Sequence, residues 1–214
     1  MVYEIKPYPE WSYSQTRDQL FHECLRKYYY HYYASHNGWL IESASSEQII
    51  AYRLKQLTSL FLHFGASIHT ICQSVVTEWQ SNGVIPSYES LSNRLRSMLN
   101  QAYLQSRDRQ AWMLQPKKRH MLAEINYDGE LDSNQIEIIK ERQRLCLYNI
   151  LKSSTLGELT NSEGIEIVEL EQLNTMIVDE TRVYVKIDLL YKRENETWVI
   201  VDWKTGKEDK NIKN

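Results

Sequence analysis

Cysteine is scarce in this chain: Cys24, Cys72 and Cys146 are three residues in 214, far apart and in no Cys-x-x-Cys arrangement. An odd, scattered set argues against a disulfide framework and against a zinc site, and buried structural thiols are the better reading of all three. Nothing approaches the run of roughly 20 apolar residues that a membrane span needs. The opening MVYEIKPYPEW has no charged-then-apolar leader pattern. Together these absences predict a cytoplasmic protein with no membrane partner. An overall basic surface is also missing, since the net charge is −3. There is no internal repeat and no low-complexity segment.

What is present is ordinary for a globular chain: 42% apolar and 25% charged residues, and length enough to bury a core. Charge is unevenly spread. Bases gather at Arg26-Lys27, at 107–109, at Lys117-Lys118-Arg119-His120 and in the tail, whereas acids concentrate between Glu124 and Glu180. A mildly acidic chain can still carry a positive groove. Tyrosine is over-used, with 15 residues, five of them in KYYYHYY.

Helices come first. The spacing of Leu20, Phe21, Cys24, Leu25 and Tyr28 predicts one helix through WSYSQTRDQLFHECLRKYYYHYY, capped by Ser12 or Ser14. From Glu47 to about Gln80 the period stays helical, as two helices or one with a break. Asn82-Gly83 to Pro86 is a turn, Tyr88 to about Arg107 a helix, QPKKRHML a basic loop, and Asp132-Ser133 caps a helix to about Ser153. After Gly164 the period becomes two, in IEIVEL, VYVKIDL and WVIVD, which predicts a β-meander over about 164–205.

The last two strands carry the chemistry. A hairpin centred on Asn195 sets Asp188 opposite Asp202 and Lys186 opposite Lys204, with Cβ atoms about 4.5–5.5 Å apart. Two carboxylates that close repel by about 4 kcal/mol at an effective dielectric near 20, so one is protonated or a cation lies between them. Mg²⁺ suits such a site, taking oxygen ligands and often only one or two protein carboxylates. The bland alternative is a pair of surface acids neutralised by Lys186 and Lys204.

Three segments resemble the PD-(D/E)XK nuclease superfamily, and in particular its RecB-type branch, which includes the C-terminal nuclease domains of recombination helicase-nucleases and the CRISPR-adaptation nucleases. WSYSQTRDQLFHECLRKYYYHYY resembles that branch's opening helix. FGASIHTI resembles its Gly-x-x-x-His helix, and VKIDLLY followed by VIVDWKTG its metal-binding hairpin. The resemblance implies an α/β, restriction-endonuclease-like core: a mixed β-sheet flanked by helices, in one domain spanning 1–214 with a helical insertion at about 82–160. It implies Mg²⁺ or Mn²⁺ held by His69, Asp188, Asp202 and the backbone carbonyl of Trp203, with Lys204 as catalytic lysine. Glu171 or Glu169 would be the acid of the preceding strand.

Two departures stand out. Lys186 occupies a position where the branch usually has a small residue; it could bind the scissile phosphate, take a second-metal position or mark reduced activity. The family's further strand and helix after Lys-Thr-Gly are missing, which implies truncation or completion by a helicase or other protein. Cys24 matches the first ligand of an iron–sulfur cluster found in some relatives; with no cysteine after the hairpin, no cluster is expected. The implied activity is phosphodiester hydrolysis on DNA, single-stranded or at duplex ends, in repair, recombination or anti-phage defence. Arg26, Lys27, Tyr28, Lys117, Lys118 and Arg119 are candidate DNA contacts, although tyrosines at helical spacing are more often core. The alternatives are a nuclease-derived DNA-binding or scaffold module without its own activity, and an unrelated α+β protein with surface ion pairs.

Overall fold

A computed structural model describes residues 5–206. The N-terminal box is more broken than its periodicity predicts. α1 (Gln15–Glu23) starts at Ser14, whose hydroxyl accepts from the Arg17 amide, and stops at Cys24, which is extended (φ −164°, ψ 109°). α2 (Leu25–Tyr29) follows and runs into a π-helical turn over Tyr30–Ala34. The box folds around Arg17, a buried residue whose Nε donates to the Tyr28 hydroxyl and whose guanidinium stacks on Trp11 and Tyr32, 4.5 Å from each ring centre.

α3 (Ser46–Lys55) opens on a capping box between Ser45 and Gln48. α4 (Leu60–Asn82) follows after a short break, so Gly65 lies inside a helix and not at its end. Its buried positions, among them Phe64, Ile68, Ile71, Cys72 and Val75, recur at three- and four-residue spacings. It is also long and apolar enough to cross a membrane by length and composition, which corrects the expectation that no segment comes close. Half of its most apolar window is buried inside the protein, as befits a core helix. Glu124 caps it from a distance, accepting the Leu60 amide at 3.0 Å.

Five helices then cover the stretch that periodicity assigns largely to helix: α5 (Tyr88–Ser106), α6 (Arg109–Leu114), α7 (Ala123–Asp128), α8 (Ser133–Lys152) and α9 (Ser154–Asn161), entered from the C-terminus of α4, which turns at left-handed Gly83 (φ 70°). The 115–122 loop is tied to the start of α4, because the Thr58 amide donates to Met121 and the Ala123 amide to Thr58.

The sheet is β1 (Glu166–Val178), β2 (Thr181–Lys192) and β3 (Trp198–Val201), antiparallel in the order β1-β2-β3. β1 and β2 are longer than their alternation suggests. Their two-residue turn, Asp179-Glu180, has both φ positive, the twist-matched hairpin geometry. Beyond the reach of β3, Tyr13 pairs with β2 in parallel, giving and taking backbone hydrogen bonds at Arg182 and Tyr184. The pairing around β2 is therefore mixed. One apolar cluster joins α4, α5 and α8; a second, of Val76, Leu159, Leu189 and Tyr191, lies under the sheet, and Trp203 packs against both.

Candidate metal centre

The hairpin register is the one centred on Asn195: Leu189 opposes Val201, Leu190 Ile200 and Tyr191 Val199. One more step would set Asp188 against Asp202, but the ladder stops there. Instead the Trp203 amide donates to Asp188 Oδ2 at 2.7 Å, turning Oδ1 towards α4. The Asp188 side chain keeps only 10% of its surface exposed.

β1 brings the second acid by an irregular route. Its register slips between Ile167 and Glu169, and Glu171 is held at φ +54° although the pairs on either side, Leu170–Leu189 and Gln172–Ile187, are regular. A left-handed conformation costs a non-glycine residue of order 1–3 kcal/mol and persists only where its surroundings impose it. The result is a carboxylate across from Asp188 and 5% exposed. Glu169, on the same strand face in sequence, instead accepts a hydrogen bond from Asn174 at 2.7 Å. The structure thus separates two acids that alternation leaves equivalent.

α4 supplies the imidazole. His69 Nδ1 lies 2.8 Å from Glu171 Oε1 and 3.4 Å from Asp188 Oδ1, with the Trp203 indole edge-on to its ring. Lys186 pairs with the other oxygen of Glu171. Gly65, one turn before His69, faces Thr205: a Cβ there would sit 3.4 Å from Thr205 Oγ1, in ordinary contact. The approach of α4 to the end of the hairpin is thus close without demanding glycine sterically. Gly65, His69, Gln73, Glu171, Lys186 and Thr205 line an open cleft.

The donor atoms of His69, Glu171 and Asp188 all lie within 4.8 Å of one another. An octahedral ion with ligands at about 2.1 Å spaces them roughly 3 to 4.2 Å apart, so a small hard cation fits with minor adjustment. The charges fit too. Two buried carboxylates outnumber the one lysine beside them, which leaves room for a cation.

Two expected members stand outside this group. Asp202 and Lys204 pair with each other at 2.6 Å, with side chains 62% and 74% exposed. Of the candidate DNA contacts, Tyr28 is buried under Arg17 and Lys27 pairs with Glu23, while Arg26 is exposed. Lys117 and Lys118 are exposed, and Arg119 is half-buried. Gln73 and Thr205 escape notice in the sequence. Gln73 is legible only as the next turn of the Gly65–His69 stripe, and Thr205 only as part of Lys-Thr-Gly.

A family model described as the PD-(D/E)XK nuclease superfamily matches residues 12–214. No curated protein and no solved structure matches the chain.

Proposed function

The chain belongs to the PD-(D/E)XK nuclease superfamily, and on that footing we propose that it is a Mg²⁺- or Mn²⁺-dependent deoxyribonuclease of the RecB-type branch. It would act in the cytoplasm on single strands or duplex ends, in repair, recombination or anti-phage defence. The observation that carries this reading is the convergence of His69, Glu171 and Asp188 on one point, with His69 and Glu171 lining an open cleft. The helices from about 82 to 160 are then an insertion carried by the nuclease core.

His69, Asp188 and Glu171 would hold the ion, with Asp202 and the Trp203 carbonyl joining from the end of β3. Such an ion supplies Lewis-acid stabilisation of the phosphate and lowers the pKa of a water. The chain's own groups do the rest. The Trp203 amide fixes the orientation of Asp188. Lys204 leaves Asp202 for the substrate phosphate, at small cost, because an exposed ion pair is worth only about 0–1 kcal/mol. Asp202, released, lies one register step from facing Asp188. Among the described residues no strand pairs with the far edge of β3, and an apolar pocket bordered by Val201, Leu156 and Leu159 lies beside it. A helicase or other protein partner would dock there.

The test is cleavage of labelled single- and double-stranded DNA with Mg²⁺ or Mn²⁺. Asp188→Asn should abolish it, and Lys204→Ala should slow it by about 10²–10³, as loss of one transition-state donor does. Equal cleavage by Lys204→Ala and the unaltered protein would sink the assignment. A second reading, an inactive DNA-binding scaffold, is favoured by the Lys186–Glu171 pair, which already sets a fixed cation in the site. Calorimetry showing no Mn²⁺ binding would select it.

A further inference from the structure

A second groove, away from the acids, has the chemistry of a single-strand track. Its floor depends on Gly38, where a Cβ would lie 2.2 Å from the Gln48 carbonyl oxygen and 2.5 Å from Tyr52 Cβ. Only glycine lets the turn press flat on α3 at this point. The next residue, Trp39, is thereby set edge-on to Tyr52, with ring centres 5.8 Å apart, and to His36 at 5.5 Å. Trp39 nevertheless keeps 40% of its surface exposed. Arg53 borders it on α3, and Lys117 and Lys118 border it from the loop after α6.

Among the described residues, no acid lines this groove. A solvated charged face normally mixes signs, and an apolar patch awaiting a protein has no need of three cations. We propose that the groove binds single-stranded DNA, with a base stacked on Trp39 and backbone phosphates on Arg53, Lys117 and Lys118. Exposed rings interleaved with bases suit unpaired nucleotides, whose π-faces are free; in a duplex those faces are already stacked. The groove also leads somewhere. The basic loop is anchored to the first turn of α4 by the Thr58 backbone bonds and by the His63–His120 ring contact at 4.7 Å. Phe61, Leu62 and Gly65 of the same helix line the acidic cleft. His63 and His69 are separated by about 9 Å of helix, so a strand held at Lys117 and Lys118 would run along α4 towards the cleft. Delivery to the cleft rests on the proposed nuclease activity; binding in the groove does not.

Anisotropy of a labelled oligothymidylate of about 12 nucleotides, within the usual range of single-strand site sizes, tests the groove in EDTA, where cleavage is silent. Trp39→Ala should weaken binding about tenfold, and Trp39→Phe should restore most of it. Lys117→Ala with Lys118→Ala should reduce the slope of log K against log salt by about 1.4. A duplex of equal length should bind more weakly and ignore Trp39→Ala. Equal affinity for single strand and duplex, or no change in either variant, overturns the proposal; so does binding of a labelled acidic peptide where oligothymidylate fails to bind, which would assign the groove to a protein partner. Should Trp39→Ala fail to fold, the paired lysine variant decides. Strand binding without cleavage would refute the nuclease reading alone, and cleavage without Trp39-dependent binding would refute the groove alone.

Discussion

β2 carries two acid–base clusters built on opposite principles. Near its end, Glu158 of α9 takes both arms of the Arg193 guanidinium and the Tyr191 hydroxyl, with Arg193 Nη2 at 2.9 Å and the hydroxyl at 3.0 Å. The arginine hydrogen bond holds Glu158 below the usual carboxylate range and pushes Arg193 up. One acid meets one base in a bidentate fork, and the cluster neutralises itself. In the middle of the strand, Asp188 faces Glu171 and the acids outnumber the fixed cation, with backbone strain at φ +54° added. A cluster assembled for stability has no reason to accept that arrangement. A cluster assembled to hold a cation does.

Two changes separate the two clusters, and a third probes the fold outside them. The largest effect belongs to the strained acid. At a Mn²⁺ concentration a hundredfold above Kd, binding should stabilise the unaltered protein by about 2.7 kcal/mol, read as a rise in Tm. Glu171→Gly should lose most of that rise, while relief of the left-handed strain returns about 1–3 kcal/mol against whatever the lost contacts cost the metal-free variant. Next, Arg193→Ala should lower the Tm yet leave cleavage within about twofold, as expected of a distant, independent site. A proportionate loss of cleavage would mean that the two clusters are coupled.

The smallest effect lies outside both clusters, at His31. Burial, then Lys55 and Lys27, lower its pKa from 6.5 to about 4. A histidine held neutral in the fold gives stability that is full above pH 6.5 and is lost as pH falls towards 4. Urea midpoints should therefore decline between pH 6.5 and 5, before most carboxylates titrate, and His31→Gln should flatten that decline. No such slope is expected from the Arg193 cluster in that range.

The hairpin was legible because its register follows from strict alternation around a short polar loop; Leu189–Val201 pairs as the pattern requires. His69 and Asp188 could be found for the same reason, each lying on a regular element. Glu171 could not be told from Glu169, because the choice depends on a register slip at 167–169 and a positive φ that leave no periodic trace. Asp202 is governed by an end effect that alternation does not record. The ladder stops one residue short of it, so a residue that should face Asp188 turns to Lys204. The break at Cys24 was hidden because α1 and α2 keep one apolar rhythm across it. α6, α7 and α9 are only six to eight residues long, too short for a period to declare itself.

The three thiols differ sharply in their surroundings. Burial, followed by the charges of Glu171, Cys146 and Asp188, pushes Cys72 up to about 12, and burial raises Cys146 as well. Cys24, expected from the sequence to be a buried structural thiol, is instead exposed, because the helix breaks there at the joint between α1 and α2. A thiol-directed label added at neutral pH would mark that joint and spare the helix that carries His69, giving a spectroscopic handle on the N-terminal box without any engineered cysteine.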